Sequence, residues 1–184
     1  ALIKLGADIN AFSEEEDTVF REMTPLGIAF HMFDEYSVKA LLEAGADVNL
    51  KTTEENTALG EILGYMKDNY FDFNKIPLIE ELLKLLLKSG LKINDTIDKK
   101  GNTAFIKACE SINRNKLSNG KTLAAVVAKF LLKENCDVNS TNLDGQTALM
   151  FLCGSHDGEA QDLQIQVLEA GADIEAMDKN GETP

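Results

Sequence analysis

The chain has 184 residues, 44% of them hydrophobic and 27% charged, which is enough apolar material for the buried core of one or two domains. Its formal net charge of −13 argues against nucleic acid and anionic membranes as partners, because both need a basic face to replace counterions. The densest apolar run, Leu82 to Leu87, is broken by Lys84 and falls far short of a bilayer span, and Ala1-Leu2-Ile3-Lys4-Leu5 lacks the charged start and long apolar centre of a secretory signal.

The predicted elements begin with Leu2, Ile3 and Leu5, which read as the end of a helix. Gly6-Ala7-Asp8-Ile9-Asn10 follows; glycine just past an apolar helix takes the left-handed conformation that stops it. A long polar hairpin, with Glu14-Glu15-Glu16-Asp17 as its solvated tip, leads to Thr24-Pro25-Leu26. There the threonine hydroxyl caps free backbone N–H groups, and proline at the first helical position loses no needed donor, so a helix starts. A second helix ends over Leu41-Leu42 at Gly45-Ala46-Asp47-Val48-Asn49. The next start is Thr57-Ala58-Leu59, and the next stop, after Leu85-Leu86-Leu87, is Gly90-Leu91-Lys92-Ile93-Asn94. The turn signal Lys100-Gly101-Asn102 precedes Thr103-Ala104-Phe105. Phe130-Leu131-Leu132 precedes Asn135-Cys136-Asp137-Val138-Asn139, where asparagine, the next best residue for left-handed backbone, replaces glycine. Asp144-Gly145-Gln146 leads to Thr147-Ala148-Leu149, and Val167-Leu168 to Gly171-Ala172-Asp173-Ile174-Glu175. Asn180-Gly181-Glu182 leads to a last Thr183-Pro184.

Two phrases in strict alternation define a repeat of turn, helix, connection, helix and turn. The unit resembles the ankyrin repeat, whose pattern runs D-x-x-G-x-T-P-L-H-x-A-A through a second helix to L-L-x-x-G-A-D-V-N. The resemblance covers essentially the whole chain. It implies an all-α fold, an ankyrin-repeat solenoid of stacked antiparallel helix pairs with β-hairpin loops, forming a single domain over 1–184. The expected divisions are a partial repeat and long hairpin at 1–19, repeats at 20–52, 53–98, 99–142 and 143–176, and the start of a further repeat at 177–184. Interior residue types at Leu2, Ile3 and Leu5, where terminal repeats carry a polar face, make the chain read as part of a longer array.

Spacing departs from the family in defined places. The family takes 21 residues from its Thr to its closing Gly; here the intervals are 21, 33, 32 and 24, which puts long inter-helix insertions in the middle repeats. From that Gly to the next Thr the family takes 12, and the first interval here is 18, lengthening the first hairpin around Ser13 to Arg21. Insertions belong in loops, because a stacked core tolerates no lengthening while loop closure entropy rises slowly. The insertion carrying Asn69-Tyr70-Phe71-Asp72-Phe73 is expected to extend its helix and pack aromatics on the opposite edge of the stack. The family's His after T-P-L is replaced by Gly27, Gly60, Ile106 and Met150, so the repeats are individually specialised.

Little in the chain points to catalysis. Cys109 and Cys153 lie six residues after repeat threonines, a small buried position in the family, and Cys136 takes the Ala place of G-A-D. All three are expected in the core as small apolar residues. An odd, sparse cysteine set argues against disulfides and for an intracellular, cytoplasmic setting. Cys153-Gly154-Ser155-His156 has no second pair to complete a zinc site. Ser155-His156-Asp157 places triad residue types side by side, whereas triads converge from separated positions. No phosphate-binding glycine loop or H-E-x-x-H occurs. No enzymatic activity, metal, cofactor or small-molecule substrate is expected.

The resemblance implies a concave face, made by hairpin tips and first helices, that holds a protein partner. Its contact positions precede the repeat Thr by four, three and one, and follow it by seven and eight. By spacing these are Phe20, Arg21, Met23, His31 and Met32; Thr53, Glu54, Asn56, Gly64 and Tyr65; Lys99, Lys100, Asn102, Glu110 and Ser111; and Leu143, Asp144, Gln146, Gly154 and Ser155. Phe20, Arg21, Met23 and Met32 are types enriched at interface centres, although a hairpin folding back would bury Phe20 and Met23 instead. Charge is unevenly spread: residues 1–66 carry 4 basic and 13 acidic side chains, 67–135 carry 13 and 8, and 136–184 carry 1 and 10, so the middle segment offers a partner a different surface. The alternative function is a substrate-recruiting segment of a larger enzyme or effector whose catalytic domain lies elsewhere.

Overall fold

The computed structural model describes residues 6–13, 22–52, 55–65, 76–112, 122–155 and 158–184. Among these lie eight α-helices: α1 (Pro25–His31), α2 (Glu35–Glu43), α3 (Ala58–Tyr65), α4 (Ile76–Lys88), α5 (Ala104–Ile112), α6 (Leu123–Lys133), α7 (Ala148–Cys153) and α8 (Gly158–Glu169). None of the described helices is long and apolar enough to cross a membrane. The expected insertion at 69–73 lies outside the described residues.

The starts follow from the threonines. Thr24, Thr57, Thr103 and Thr147 each accept, through Oγ1, the N–H three residues on, at 3.1, 3.1, 3.3 and 3.4 Å. Each bond satisfies one of the donors that a helix start leaves open. Asp34 caps α2 and Thr122 caps α6 in the same way. The stops follow from backbone handedness: Gly6, Gly45, Gly90 and Gly171 have φ between +86° and +93°, and Asn135 has +58°.

Two glutamates also adopt left-handed backbone, Glu22 at φ +57° and Glu55 at +61°. They stand two residues before a repeat Thr, where Gly101, Gly145 and Gly181 stand in the later hairpins with φ of +72°, +80° and +80°. A side chain there costs about 1–2 kcal/mol, partly offset because glycine loses more entropy on folding. Glu55→Gly is therefore expected to raise stability by about 0.5–1 kcal/mol in urea unfolding, against the usual direction for a glycine substitution.

The helices form two rows. α1, α3, α5 and α7 touch in succession, as do α2, α4, α6 and α8, and the rows meet in the pairs α1/α2, α5/α6 and α7/α8. One continuous cluster of buried side chains runs between them. Leu26, Leu59, Phe105 and Leu149, each two residues after a repeat Thr, are no more than 2% exposed. Burying each such side chain contributes about 1.5–3 kcal/mol. From the other row come Val38, Leu82, Leu83, Leu131 and Leu163.

The asparagine closing each stop phrase joins one loop to the next. Asn10 Oδ1 accepts from Asp47 N–H at 2.9 Å, Asn49 from Lys92 at 3.0 Å, Asn94 from Asp137 at 2.9 Å and Asn139 from Asp173 at 2.8 Å. Asn49 and Asn139 also donate Nδ2 to Gly90 O and Gly171 O. These bonds place successive loops in one register.

Two expectations need correcting. The β-hairpins carry no strands among the described residues, only the isolated bridges Lys51–Thr57 and Thr96–Thr103. Their arms are too short for a ladder, and side-chain acceptors hold the turns instead. Cys109 and Cys136 are buried, but Cys153 is exposed. α5 has α3 on one side and α7 on the other, whereas α7 is flanked on one side only among the described helices.

Candidate functional site

The hairpins before Thr57, Thr103, Thr147 and Thr183 are each built around the residue five before that Thr. Asp98 Oδ1 accepts from the N–H of Lys100 and of Asn102, both at 3.0 Å. Asn142 Oδ1 accepts from Asp144 at 2.9 Å and Gln146 at 3.0 Å, and Asp178 Oδ1 from Asn180 at 2.8 Å and Glu182 at 3.0 Å. Thr52 Oγ1 holds Asn56 N–H at 3.2 Å in the shortest version of this turn. A short acceptor side chain here can reach the backbone of its own loop, which is why Asp, Asn or Thr suits the position.

The last three hairpins are also bonded tip to tip. Leu143 N–H donates to Lys100 O, and Lys179 N–H to Asp144 O, both at 2.9 Å. Deeper down, Asn142 Nδ2 donates to Asn102 Oδ1 at 3.1 Å. Glycine is needed where the tips cross: a Cβ on Gly101 would stand 2.8 Å from Leu143 Cγ, and one on Gly145 would stand 3.2 Å from Asp178 Cα.

Behind the third hairpin lies a part-buried ionic cluster. Lys107 Nζ stands 3.2 Å from Asp98 Oδ2 and 3.4 Å from Glu110 Oε2, and Lys100 Nζ stands 3.5 Å from Glu110 Oε1. Burial pushes the Asp98 carboxyl up, but the Asn102 bonds and the Lys107 ammonium outweigh it and hold the group below the usual carboxylate range.

The residues chosen by spacing divide by burial. Met32 and Leu143 are 59% and 62% exposed, and Lys99, Lys100 and Asp144 are also exposed. His31, Asn56 and Gln146 are half-buried. Met23, Asn102, Glu110, Ser111 and Ser155 were placed on the exposed face by spacing, and the structure buries all five, at 2%, 0%, 7%, 7% and 7% exposure. Polar bonds account for several of them. Asn102 is engaged with Asp98 and Asn142, Glu110 faces two lysines, and Ser111 Oγ donates to Leu63 O at 3.4 Å. Met23 belongs to the base of the first hairpin, which closes where Ser13 N–H donates to Met23 O and Glu22 N–H to Ser13 O. Phe20, Arg21, Thr53, Glu54 and the side chain of Tyr65 lie outside the described residues, as does His156.

Spacing alone did not find two features. An apolar groove of about 500 Å³ runs between α1 and α2, lined by Pro25, Ile28, Met32, Tyr36 and Leu41 among others, with Asp34 at its edge. Lys107 is the second; its sign that could have been read is a lysine at the fourth place of a mostly apolar helix, with Glu110 three residues on.

The thiols have distinct surroundings. Burial raises Cys109, and burial with the nearby Asp137 raises Cys136 to about 12, while burial raises the exposed Cys153 as well. A thiol reagent at pH 8 is expected to label Cys153 in the folded protein and the other two only after denaturation. Equal labelling of all three under native conditions would contradict this arrangement.

No family model matches the chain. Over 77 residues, 42% of the chain, it is 38% identical to the tyrosine-protein kinase HTK16 of Hydra vulgaris. Over 94 residues, 51% of the chain, it is 31% identical to the ankyrin repeat and KH domain-containing protein CBG24701 of Caenorhabditis briggsae. The matches span 9% and 3% of those two proteins.

Proposed function

We propose that the chain is an array of ankyrin repeats, divided at 20–52, 53–98, 99–142 and 143–176, that holds a protein partner without catalysing a reaction. The face used is the one formed by the hairpin tips and the helices α1, α3, α5 and α7. The observation that carries this is the bonding of hairpin tip to hairpin tip, which holds Lys99, Lys100, Leu143 and Asp144 at fixed spacing along one edge. A face already ordered before binding spares the complex the entropy of ordering it. Similarity to a protein named for its ankyrin repeats supports the repeat reading, and such arrays bury their cores between neighbours while leaving a long surface open.

A photocrosslinking amino acid at position 100 or 144 is expected to capture the same protein, and one at position 81 or 134, on α4 and just past α6, is not. Capture confined to 81 and 134 would place binding on the opposite side. A second reading follows from the match to a protein named as a tyrosine kinase: the chain is a recruiting segment within a larger enzyme. Phosphate transfer by the full-length protein, lost when its other regions are removed, would decide for it.

A further inference from the structure

We infer that the partner segment held on this face is an acidic peptide with an apolar residue at its centre, an inference that rests on the protein-binding reading above. Four residues before each of the last three repeat threonines stand Lys99, Leu143 and Lys179, all exposed. They form one row, because the backbone bonds from Leu143 to Lys100 and from Lys179 to Asp144 fix each tip on the next. Leu143 is 62% exposed, and its side chain lies over the Cα of Gly101, the one residue type that leaves it that room. A large exposed apolar side chain with an exposed lysine at the equivalent place of the hairpin on either side is a docking point for an apolar side chain flanked by carboxylates.

The surroundings sharpen this choice. The chain carries a net charge of −13, so an acidic segment is repelled from most of its surface and drawn to where lysines stand outward. At the third hairpin Asp98 and Glu110 are buried and face Lys107 and Lys100, the exposed Asp95 stands 3.6 Å from Lys92, and Lys99 is exposed; the neighbouring hairpin exposes both Lys51 and Glu55. Asp144 and Glu182 are the exposed acids of the last two tips, and they stand at other positions of the turn from the row. The turns are held by side-chain acceptors at 2.8–3.0 Å, so the row keeps its spacing before a ligand arrives.

The probe is a labelled peptide of one leucine flanked on both sides by aspartates, with a lysine-flanked peptide as its control, followed by fluorescence anisotropy on the whole chain. The acidic peptide is expected to bind more tightly than the basic one, and to weaken as salt rises. Lys99→Glu combined with Lys179→Glu is expected to weaken it about tenfold or more, and Leu143→Ser about threefold or more, with the melting temperature unchanged. Equal binding of both peptides, no binding, or binding indifferent to these substitutions would each overturn the inference. If the photocrosslinked partner is still captured at positions 100 and 144 by the Lys99, Leu143 and Lys179 variants, the protein-binding reading stands and this chemistry falls.

Discussion

Gly60→Ala is expected to destabilise the protein by about 2–4 kcal/mol, although alanine is the better helix former. Gly60 lies in α3, where the change would by propensity add about 0.5–1 kcal/mol. The added Cβ, however, would stand 2.2 Å from Ile97 O, with Ile97 C and Cβ at 3.2 and 3.3 Å. That carbonyl is not free to move: it accepts Thr57 N–H at 3.1 Å, the link between the start of α3 and the third hairpin. Gly27 supplies the control. It holds the same place in α1, three residues after Thr24, yet a Cβ there meets only Thr24 Oγ1 at 3.4 Å, Met23 Cε at 3.5 Å and Ala58 Cβ at 3.7 Å. Gly27→Ala is expected to be neutral or slightly stabilising. Urea unfolding of both variants measures the contrast, and two similar free energies would show that α3 is not seated against Ile97.

Lys107→Met is expected to cost about 2–4 kcal/mol at pH 7, below the full cost of breaking a buried ion pair because Lys100 still faces Glu110. Lys107 is 15% exposed and lies between carboxylates that are 7% and 6% exposed. Removing the ammonium leaves two carboxylates out of water with less to compensate them. The cost should also depend on pH. In the native protein the Asp98 carboxyl is held below its ordinary value, so its contribution is present above the unfolded value of about 3.9 and is lost as pH falls through the folded one. In the variant, burial remains while the Lys107 attraction is gone, so the carboxyl moves up and takes a proton earlier. The stability gap between the two proteins should therefore narrow from pH 7 to pH 4.5. A gap that widens on acidification would mean that the ammonium was not offsetting the burial of those acids.

The helix punctuation could be read from residues because its cause is local. A threonine that caps, a glycine that turns left-handed and an asparagine that substitutes for it each act through their own backbone, and Thr103, Gly90 and Asn135 behave as their types demand. Glu22 and Glu55 could not be read in this way, since glutamate carries no signal for positive φ; only alignment with Gly101 and Gly145 reveals their role. The interaction face was legible as a register but not as a surface. Spacing names Asn102, Ser111 and Ser155 as readily as Lys99, yet whether a side chain points outward depends on what the neighbouring hairpin or helix brings against it. Asn102 is drawn inward by Asp98 and Asn142, from a turn 40 residues further along the chain. Cys153 departs the other way: it holds the repeat position of the buried Cys109 and is exposed, so residue type and register alone did not set its burial. The apolar groove beside Met32 likewise depends on how α1 meets α2, which no single phrase encodes.

Each of the four junctions between the described stop-phrase loops contains the same pair of atoms, an asparagine side-chain oxygen and the backbone N–H two residues before the closing residue of the next loop. A donor on the main chain is present whatever residue occupies that place, so Lys92 serves as well as Asp47, Asp137 or Asp173. Each such seam is thus indifferent to the side chain at the donor position, which is left free to face the solvent and to vary.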